Sequence, residues 1–129
     1  MRTAILALAL TLATVPAFSQ DYGRIEQRAQ EMQDIIPRTM QERVVFHGKL
    51  AGLATACEVE WDSLHGALLG YSMRVGYQQR QLAFIEALFD EMRQATAKRI
   101  TRDDCNTLQP NSLSNEVVGA ANRLMNADR

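Results

Sequence analysis

The chain has 129 residues, with 14 basic and 15 acidic side chains and a net charge of −1 when its two histidines are neutral. This length predicts one domain with a modest hydrophobic core. The near-neutral balance argues against a nucleic-acid-binding protein, which usually carries a clustered basic surface. It also gives no reason to expect an anionic membrane as a partner.

Residues 1–19 have the layout of a secretory signal peptide. Arg2 gives a positive start, residues 4–15 form an uncharged apolar run that Pro16 breaks, and Ala17 and Ser19 are small residues at the two positions that a signal peptidase reads. Such a run makes about 18 Å of helix, which is too short for a bilayer core of about 30 Å. We therefore expect cleavage after Ser19, with no later transmembrane segment, and a mature domain of residues 20–129 in the periplasm or the medium of a bacterium.

One helix is predicted before Pro37 and a second helix after it. Residues 24–36 place apolar side chains on one face of a short helix, which Pro37 ends because proline cannot continue it. Thr39 and Glu42 have the spacing of a capping box, in which each side chain accepts a hydrogen bond from the backbone amide of the other residue. The sequence therefore predicts that the next helix begins at Met40.

The helix that begins at Met40 should bury a stripe that contains Cys57. The stripe follows helical spacing and consists of Phe46, Leu50, Leu53 and Cys57. Small residues lie beside it and allow another helix to approach closely; they are Gly48, Ala51, Gly52, Ala54 and Thr55. We therefore expect the sulfur of Cys57 to point into the core.

The region from Trp61 to Met92 carries the strongest helical periodicity. Positions spaced alternately three and four apart are apolar, with Gln78 as the exception: Trp61, Leu64, Leu68, Tyr71, Val75, Leu82, Ile85, Phe89 and Met92. Gly70 and Gly76 precede Gln78 and weaken a helix. We expect two helices with a break between Gly76 and Gln79. One long kinked helix, in a hairpin arm or a dimeric coil, is the alternative.

The C-terminal region predicts a short helix followed by a longer one. Thr101 begins a capping box, so a helical turn that contains Cys105 should start there and end at Pro110. Ser112 or Ser114 can cap the last helix. Its expected apolar face consists of Val117, Ala121, Leu124 and Met125.

Cys57 and Cys105 are the only cysteines, and export would place them where disulfides form and persist. A bond between them would constrain the unfolded chain by about 4 kcal/mol. An intermolecular bond or a free thiol is the alternative. A metal site is disfavoured, because only His47 and His65 could join the cysteines and neither has paired ligand spacing. We expect no metal and no cofactor.

Three carboxylates flank the single tryptophan, Trp61, in the sequence. Glu58 and Asp62 would share a helix face and Glu60 would point elsewhere, near a helix start that favours negative charge. A glycosidase needs two carboxyl groups across a sugar-sized cleft, and this chain offers little room for one. We interpret the carboxylates as solvated and predict no catalytic residue. Trp61 should pack in the core, or else form the lip of a binding pocket.

His47 and His65 lie next to the apolar stripes of their helices. The simplest interpretation of each is a partly buried, hydrogen-bonded side chain. The alternative is a pH sensor, because histidine titrates at about pH 6.5 and gains charge on acidification. A disulfide between neighbouring helices would allow the two histidines to meet, although nothing in the sequence requires it.

These patterns together predict an all-α fold, a compact bundle of four to five helices closed by a Cys57–Cys105 disulfide. From Cys57 to Cys105 the layout resembles the small acid-stress chaperones of the bacterial periplasm, which are all-helical and join distant cysteines in one disulfide. The resemblance shares no local motif, so no functional residue is transferred. It implies a holding or binding function.

We expect a small secreted or periplasmic protein without enzymatic activity, which binds another protein or serves the cell envelope. The alternatives are a periplasmic acid-stress chaperone or inhibitor, and a small-ligand carrier or enzyme. A chaperone of this kind should loosen and expose apolar surface on acidification. A carrier or an enzyme requires a well-formed pocket with converging polar groups.

Overall fold

The computed structural model describes residues 35–127, and within this range the protein consists of five α-helices without a strand. They are α1 (Arg38–Ala56), α2 (Asp62–Val75), α3 (Gln79–Arg99), α4 (Arg102–Leu108) and α5 (Pro110–Asn126). The predicted all-α bundle is confirmed. The predicted signal peptide and most of the predicted helix over residues 24–36 lie outside the described residues. None of the five helices is long and apolar enough to cross a membrane.

The bundle is built from two main helix pairs, α1 with α3 and α2 with α5. Smaller contacts of α1 with α2 and α5 join the pairs. Their inner faces bury one cluster, whose largest enclosed apolar side chains are Phe89, Ile36, Leu64, Leu68, Ile85, Leu88, Val44 and Val117. Burial of this apolar surface is the main force that holds helices of this length together.

Helix α1 begins before the predicted capping box. Its first turn closes on the carbonyl of Pro37, which accepts hydrogen bonds from the amides of Met40 (3.0 Å) and Gln41 (3.1 Å). Thr39 is therefore already inside the helix, and no side chain caps the N-terminus. The prediction of a start at Met40, capped by Thr39 and Glu42, is wrong because the extended Pro37 already sets up the turn.

The buried face of α1 is displaced from the predicted stripe. The core side of the helix carries Met40, Val44, His47, Ala51 and Ala54. Phe46 is instead 55% exposed, and Leu50, Leu53 and Cys57 are only partly buried. The prediction of the inward face is therefore wrong, and Cys57 lies at the edge of the core. The physical reason for this displacement is that the small Gly48 and Gly52, rather than Phe46 and Leu50, lie where α1 approaches α3 most closely.

Two glycines allow the close approach of α1 to α3. A Cβ atom at Gly48 would lie 2.9 Å from Met92 Cβ, and one at Gly52 would lie 2.6 Å from the carbonyl oxygen of Arg93. Real Cβ atoms essentially never come that close to another heavy atom. The predicted close packing along the small residues of α1 is therefore confirmed.

The apolar stripe from Trp61 to Met92 is divided between two helices. Helix α2 is followed by Gly76, whose φ of 101° lies in the left-handed region that favours glycine. Gln78 precedes α3, and its backbone amide donates a hydrogen bond to Gln81 Oε1 at 2.8 Å, which satisfies an amide at the start of the helix. The predicted break is confirmed, and the alternative of one long helix is wrong.

The C-terminal helices begin partly as predicted. The capping box of Thr101 and Asp104 forms at the start of α4. Pro110, however, occupies the first turn of α5, where its missing amide leaves no hydrogen bond unmade. The short helix α4 ends at Leu108, before Pro110, as predicted, whereas the prediction that Ser112 or Ser114 caps the next helix is wrong. On α5, Val117, Ala121 and Leu124 are buried as predicted, whereas Met125 is 54% exposed.

A disulfide joins Cys57 to Cys105, as predicted. Cys57 follows the last turn of α1, and Cys105 lies in α4, 48 residues later. Helix α4 buries none of its own residues. The disulfide and a few contacts with α1 and α5 therefore hold it to the bundle.

Candidate functional site

Phe46 is a large apolar side chain on the outer side of α1. It is 55% exposed, although the opposite side of the same helix is part of the core. Its ring packs edge-on against the ring of His47, with the centroids 5.1 Å apart. A groove lies on each side of Phe46, and Phe46 lines both.

The two grooves and Phe46 form one continuous surface, which we call the Phe46 face. The His47 groove lies between α1 and the end of α5, encloses about 330 Å³ and is lined by Arg43, Phe46, His47, Arg123, Leu124 and Ala127. The Lys49 groove lies along α1, encloses about 360 Å³ and is lined by Arg38, Gln41, Glu42, Val45, Phe46 and Lys49.

The Phe46 face is cationic. Apart from His47, its ionisable lining residues are the basic Arg38, Arg43, Lys49 and Arg123 and the acidic Glu42. Glu42 already pairs with Arg38 at 3.5 Å. The ion pairs found among residues 35–127 involve neither Arg43 nor Arg123. Since the whole chain has a net charge of −1, positive charge is concentrated on this face.

His47 is the buried polar residue of its groove. It is 7% exposed, and its Nδ1 donates a hydrogen bond to the carbonyl oxygen of Arg43 at 2.6 Å. Burial lowers the pKa of His47, because it penalises the charged imidazolium; the backbone hydrogen bond opposes this shift, and the charges of Arg43 and Arg123 add to it. The ring is therefore neutral near pH 7 and carries its proton on Nδ1.

Tyr71 of α2 holds two arginines next to the His47 groove. The guanidinium of Arg43 lies 4.3 Å from the centroid of the Tyr71 ring, and that of Arg74 lies 6.0 Å from it. A cation within about 6 Å is attracted to the face of an aromatic ring. Arg74 also donates a hydrogen bond to the carbonyl of Leu124 at 2.6 Å, near the C-terminus of α5, where positive charge complements the helix dipole.

Trp61 packs against the core and lines neither groove of the Phe46 face. Its ring lies 6.0 Å from that of Phe89, and the guanidinium of Arg93 lies 4.7 Å from its centroid. Arg93 is held there by hydrogen bonds to Asp90 (2.7 Å) and Thr55 (3.3 Å). Trp61 is therefore a partly buried residue at the edge of the core.

His65 does not line the Phe46 face. It belongs to a second group of contacting side chains, which we call the Trp61 cluster and which consists of Trp61, His65, Glu86, Phe89 and Arg93. Its ring lies 6.4 Å from that of Trp61, and its Nε2 lies 3.4 Å from a carboxylate oxygen of Glu86. His47 contacts a different set of residues, on α1 and α5. The disulfide therefore does not bring the two histidines into one site.

The three carboxylates near Trp61 are exposed to solvent. Glu58 and Glu60 lie in the loop after α1, and only Asp62 lies in the first turn of α2. The predicted helix face shared by Glu58 and Asp62 is wrong, because α1 ends before Glu58, which adopts a φ of 55°. Among residues 35–127, no group of acidic, histidine or cysteine side chains could hold a metal ion.

Met73 offers a contrast to Phe46. It is 60% exposed and lines a third groove, of about 280 Å³, between α2 and α3. The ionisable residue of this groove is the acidic Glu86. An exposed apolar side chain beside a groove is therefore not sufficient to make a cationic face.

Sequence reasoning missed the Phe46 face. The apolar stripe predicts Phe46 in the core, yet Phe46 also continues the helical spacing of the polar residues Glu42 and Lys49, and this spacing is a signal of exposure. Arg43 and Arg123 belong to no motif. They meet only because α5 packs back against α1.

Comparison with known proteins identifies no relative of this chain. The chain matches no protein-family model, and neither curated proteins nor solved structures yield a significant match.

Proposed function

We propose that this protein is a secreted, non-enzymatic binding module that holds an acidic, partly apolar segment of another protein on its Phe46 face. The observation that carries the proposal is the 55% exposure of Phe46 between two grooves with basic linings. Exposed apolar residues rimmed by polar groups are typical of recognition surfaces. Such a module would serve the cell envelope.

An apolar side chain of the partner gains most by covering Phe46. Burial of a phenylalanine side chain contributes about 1.5–3 kcal/mol relative to exposure, and a few such anchors dominate most protein interfaces. The grooves of about 330 and 360 Å³ on either side have room for the partner's neighbouring side chains. Phe46 is therefore the expected anchor of the complex.

The charge of the Phe46 face favours an acidic partner. Basic groups in the grooves attract carboxylates during the encounter and pair with them in the complex, whereas a basic segment is repelled. Because these interactions lie at the protein surface, added salt should weaken them. The proposal therefore commits to an acidic segment.

Export to the periplasm or the medium of a bacterium is part of the proposal. The Cys57–Cys105 bond supports it, because disulfides form and persist in oxidising compartments. Residues 1–19 supply a signal peptide for that route. N-terminal sequencing of the exported protein should begin at Gln20.

Binding of two synthetic peptides tests the proposed function. One peptide repeats leucine and glutamate at helical spacing, and the other carries lysine in place of glutamate. We expect the acidic peptide to bind and to shift the NMR resonances of Phe46 and its groove neighbours, and the basic peptide to do neither. Phe46→Ala should weaken the acidic peptide about ten-fold or more, because the apolar anchor is lost.

Met73→Ala is the matched control, because Met73 is as exposed as Phe46 but lies beside an acidic residue. It should leave binding of the acidic peptide unchanged. Equal binding of the two peptides, or equal effects of the two substitutions, would contradict the proposal. A dimer that depends on Phe46 would also contradict it, since a second copy would then cover this face.

An acid-stress chaperone is the second candidate, and the burial of His47 favours it. Protonation of a buried histidine opposes folding, so acid should loosen the contacts of α1 with its neighbours. The apolar surface released in this way could hold unfolding proteins. This candidate requires acid-dependent exposure of the core, whereas the first does not.

A further inference from the structure

The His47 groove holds two guanidinium groups with no described carboxylate partner. Arg43 and Arg123 both line it, and both act on His47 as nearby positive charges. The ion pairs found among residues 35–127 include neither of them. Like charges at such sites repel, and an anion between them would replace repulsion with attraction.

Arg43 is positioned before any ligand arrives. Its guanidinium lies over the Tyr71 ring at 4.3 Å. Arg74, on the same ring, is committed to the carbonyl of Leu124 through a hydrogen bond of 2.6 Å. Arg43 and Arg123 are therefore the guanidinium groups available to a ligand, and a donor that is already placed loses little entropy on binding.

His47 adds a buried polar group at the same place. Its side chain is 7% exposed, and its Nδ1 is used in the hydrogen bond to the Arg43 carbonyl. Nε2 is therefore the ring nitrogen left for a ligand in the groove. In the neutral ring Nε2 only accepts a hydrogen bond, and in the protonated ring it donates one. A carboxylate, which only accepts, would pair with the protonated ring.

We propose that the His47 groove is a carboxylate-binding subsite, in which Arg43, Arg123 and His47 together hold one carboxylate of the partner protein. This inference rests on the proposed protein-binding function, because it names the group that anchors the acidic segment next to Phe46. Carboxylate is the anion that unmodified proteins carry, and guanidinium groups pair with it through parallel hydrogen bonds. The groove, at about 330 Å³, accommodates a carboxylate and the side chain that carries it.

Binding at this subsite takes up a proton. The charged or titratable groups near Arg43 and His47 are Arg123 from α5, Arg74 and Tyr71 from α2, and Tyr77 from the loop after α2. Helix α3 meets α1 here through Phe89 and Met92, which do not titrate. A bound carboxylate offsets the positive charges and raises the pKa of His47. By thermodynamic reciprocity, acidification toward and below the ordinary histidine pKa of about 6.5 then strengthens binding.

An NMR titration of the two histidines tests the subsite. The probes are the leucine–glutamate peptide and a matched peptide with glutamine in place of glutamate, at constant ionic strength. His65 is the internal control, because it is the only other histidine and it pairs with Glu86 in another cluster. We expect the glutamate peptide to raise the pKa of His47 and to leave the His65 resonances unchanged. The glutamine peptide should change neither.

A pair of arginine variants locates the carboxylate. Arg123→Gln should weaken the glutamate peptide about ten-fold or more, because a charge-assisted hydrogen bond is lost. Arg80→Gln removes an exposed arginine of α3 that lines neither groove, and it should leave binding unchanged. Arg123 is itself exposed, so both variants should retain the wild-type circular dichroism spectrum.

The outcomes separate the subsite from the proposed function. Peptide binding that requires Phe46 but not Arg123, without a shift of His47, would overturn the subsite and preserve the binding function. Equal effects of Arg123→Gln and Arg80→Gln would also overturn it, because general charge would then account for binding. A shift of His47 by sodium acetate, without binding of the glutamate peptide, would support the subsite and contradict the proposed function.

Discussion

His47 experiences opposing interactions in the folded protein. Burial and the neighbouring guanidinium charges lower the pKa of His47, because they disfavour the protonated ring. The hydrogen bond from Nδ1 to the Arg43 carbonyl opposes this shift. In the unfolded chain these surroundings are absent, and histidine titrates at about pH 6.5. As the pH falls, the unfolded state therefore binds a proton before the folded state does.

Acid should consequently destabilise the protein through His47. Its folded-state pKa lies below 6.5, so its contribution to stability is complete above pH 6.5 and is lost as the pH falls through the folded-state value. In urea denaturation followed by Trp61 fluorescence, His47→Gln should flatten this acid-dependent slope of the free energy of unfolding. His65→Gln should retain the slope, because His47 is still present.

Binding of a hydrophobic dye between about pH 3 and 5 tests whether this loss of stability exposes apolar surface, as the acid-chaperone candidate requires. Dye binding that rises with acid and is reduced in His47→Gln would support the acid-chaperone candidate. Flat stability and flat dye binding over this range would contradict it. Neither result bears on the binding of an acidic peptide at neutral pH.

At the scale of elements, α1 and α3 pack closely because Gly48 and Gly52 have no side chains at the points where the two helices meet. Large apolar residues on the outer side of α1 do not compensate for this geometry, so Phe46 remains exposed. The free energy gained by close packing along Gly48 and Gly52 sets which face of α1 is inside. Substitution of these glycines should therefore affect stability more than substitution of Phe46.

Gly52→Ala should lower the free energy of unfolding by about 1–3 kcal/mol, the usual cost of overpacking. The new Cβ would meet the Arg93 carbonyl oxygen and Thr96 Cβ, each at 2.6 Å. Gly66→Ala is the matched control in α2, because no atom lies within 4 Å of a Cβ there. It should stabilise by about 1 kcal/mol through helix propensity. Urea unfolding of both variants measures the difference, and a neutral Gly52→Ala would contradict the close approach.

The same contrast explains what the sequence could predict. Large apolar residues at helical spacing identified the inward faces of α2 and α3, and Gly76 identified the break between them. The inward face of α1 was missed because glycine contributes to packing by its small size, which a pattern of hydrophobic residues does not register. The end of α4 before Pro110 is predicted correctly, but the start of α5 at Pro110 is not, because proline occurs both after a helix and in its first turn. The His47 groove was beyond prediction, since it depends on the contact between α1 and α5.

At the scale of the whole molecule, the disulfide holds α4 to a bundle whose core is complete without it. Helix α4 contributes no buried residue, whereas the other four described helices share one cluster. In the unfolded chain, however, the bond closes a long loop and removes about 4 kcal/mol of conformational freedom. This is a large part of the stability of about 5–15 kcal/mol that is typical of small domains.

Reduction of the disulfide should therefore lower the free energy of unfolding by about 4 kcal/mol. At low denaturant the helical circular dichroism should be largely retained, because the core does not include α4. Limited proteolysis of the reduced protein should begin between residues 100 and 109. Unchanged stability, or first cleavage within α1 or α3, would contradict this account. Cys57→Ser with Cys105→Ser should reproduce the effect without a reductant.

The separation of α4 from the core also makes this helix a suitable site for attaching the protein to a surface. Asn106 is exposed, and no residue of α4 lines either groove of the Phe46 face. A biotinylated residue in place of Asn106 would immobilise the folded protein on a sensor while leaving both grooves open to soluble peptides. The helix that buries none of its own residues is thus the one best suited to surface attachment.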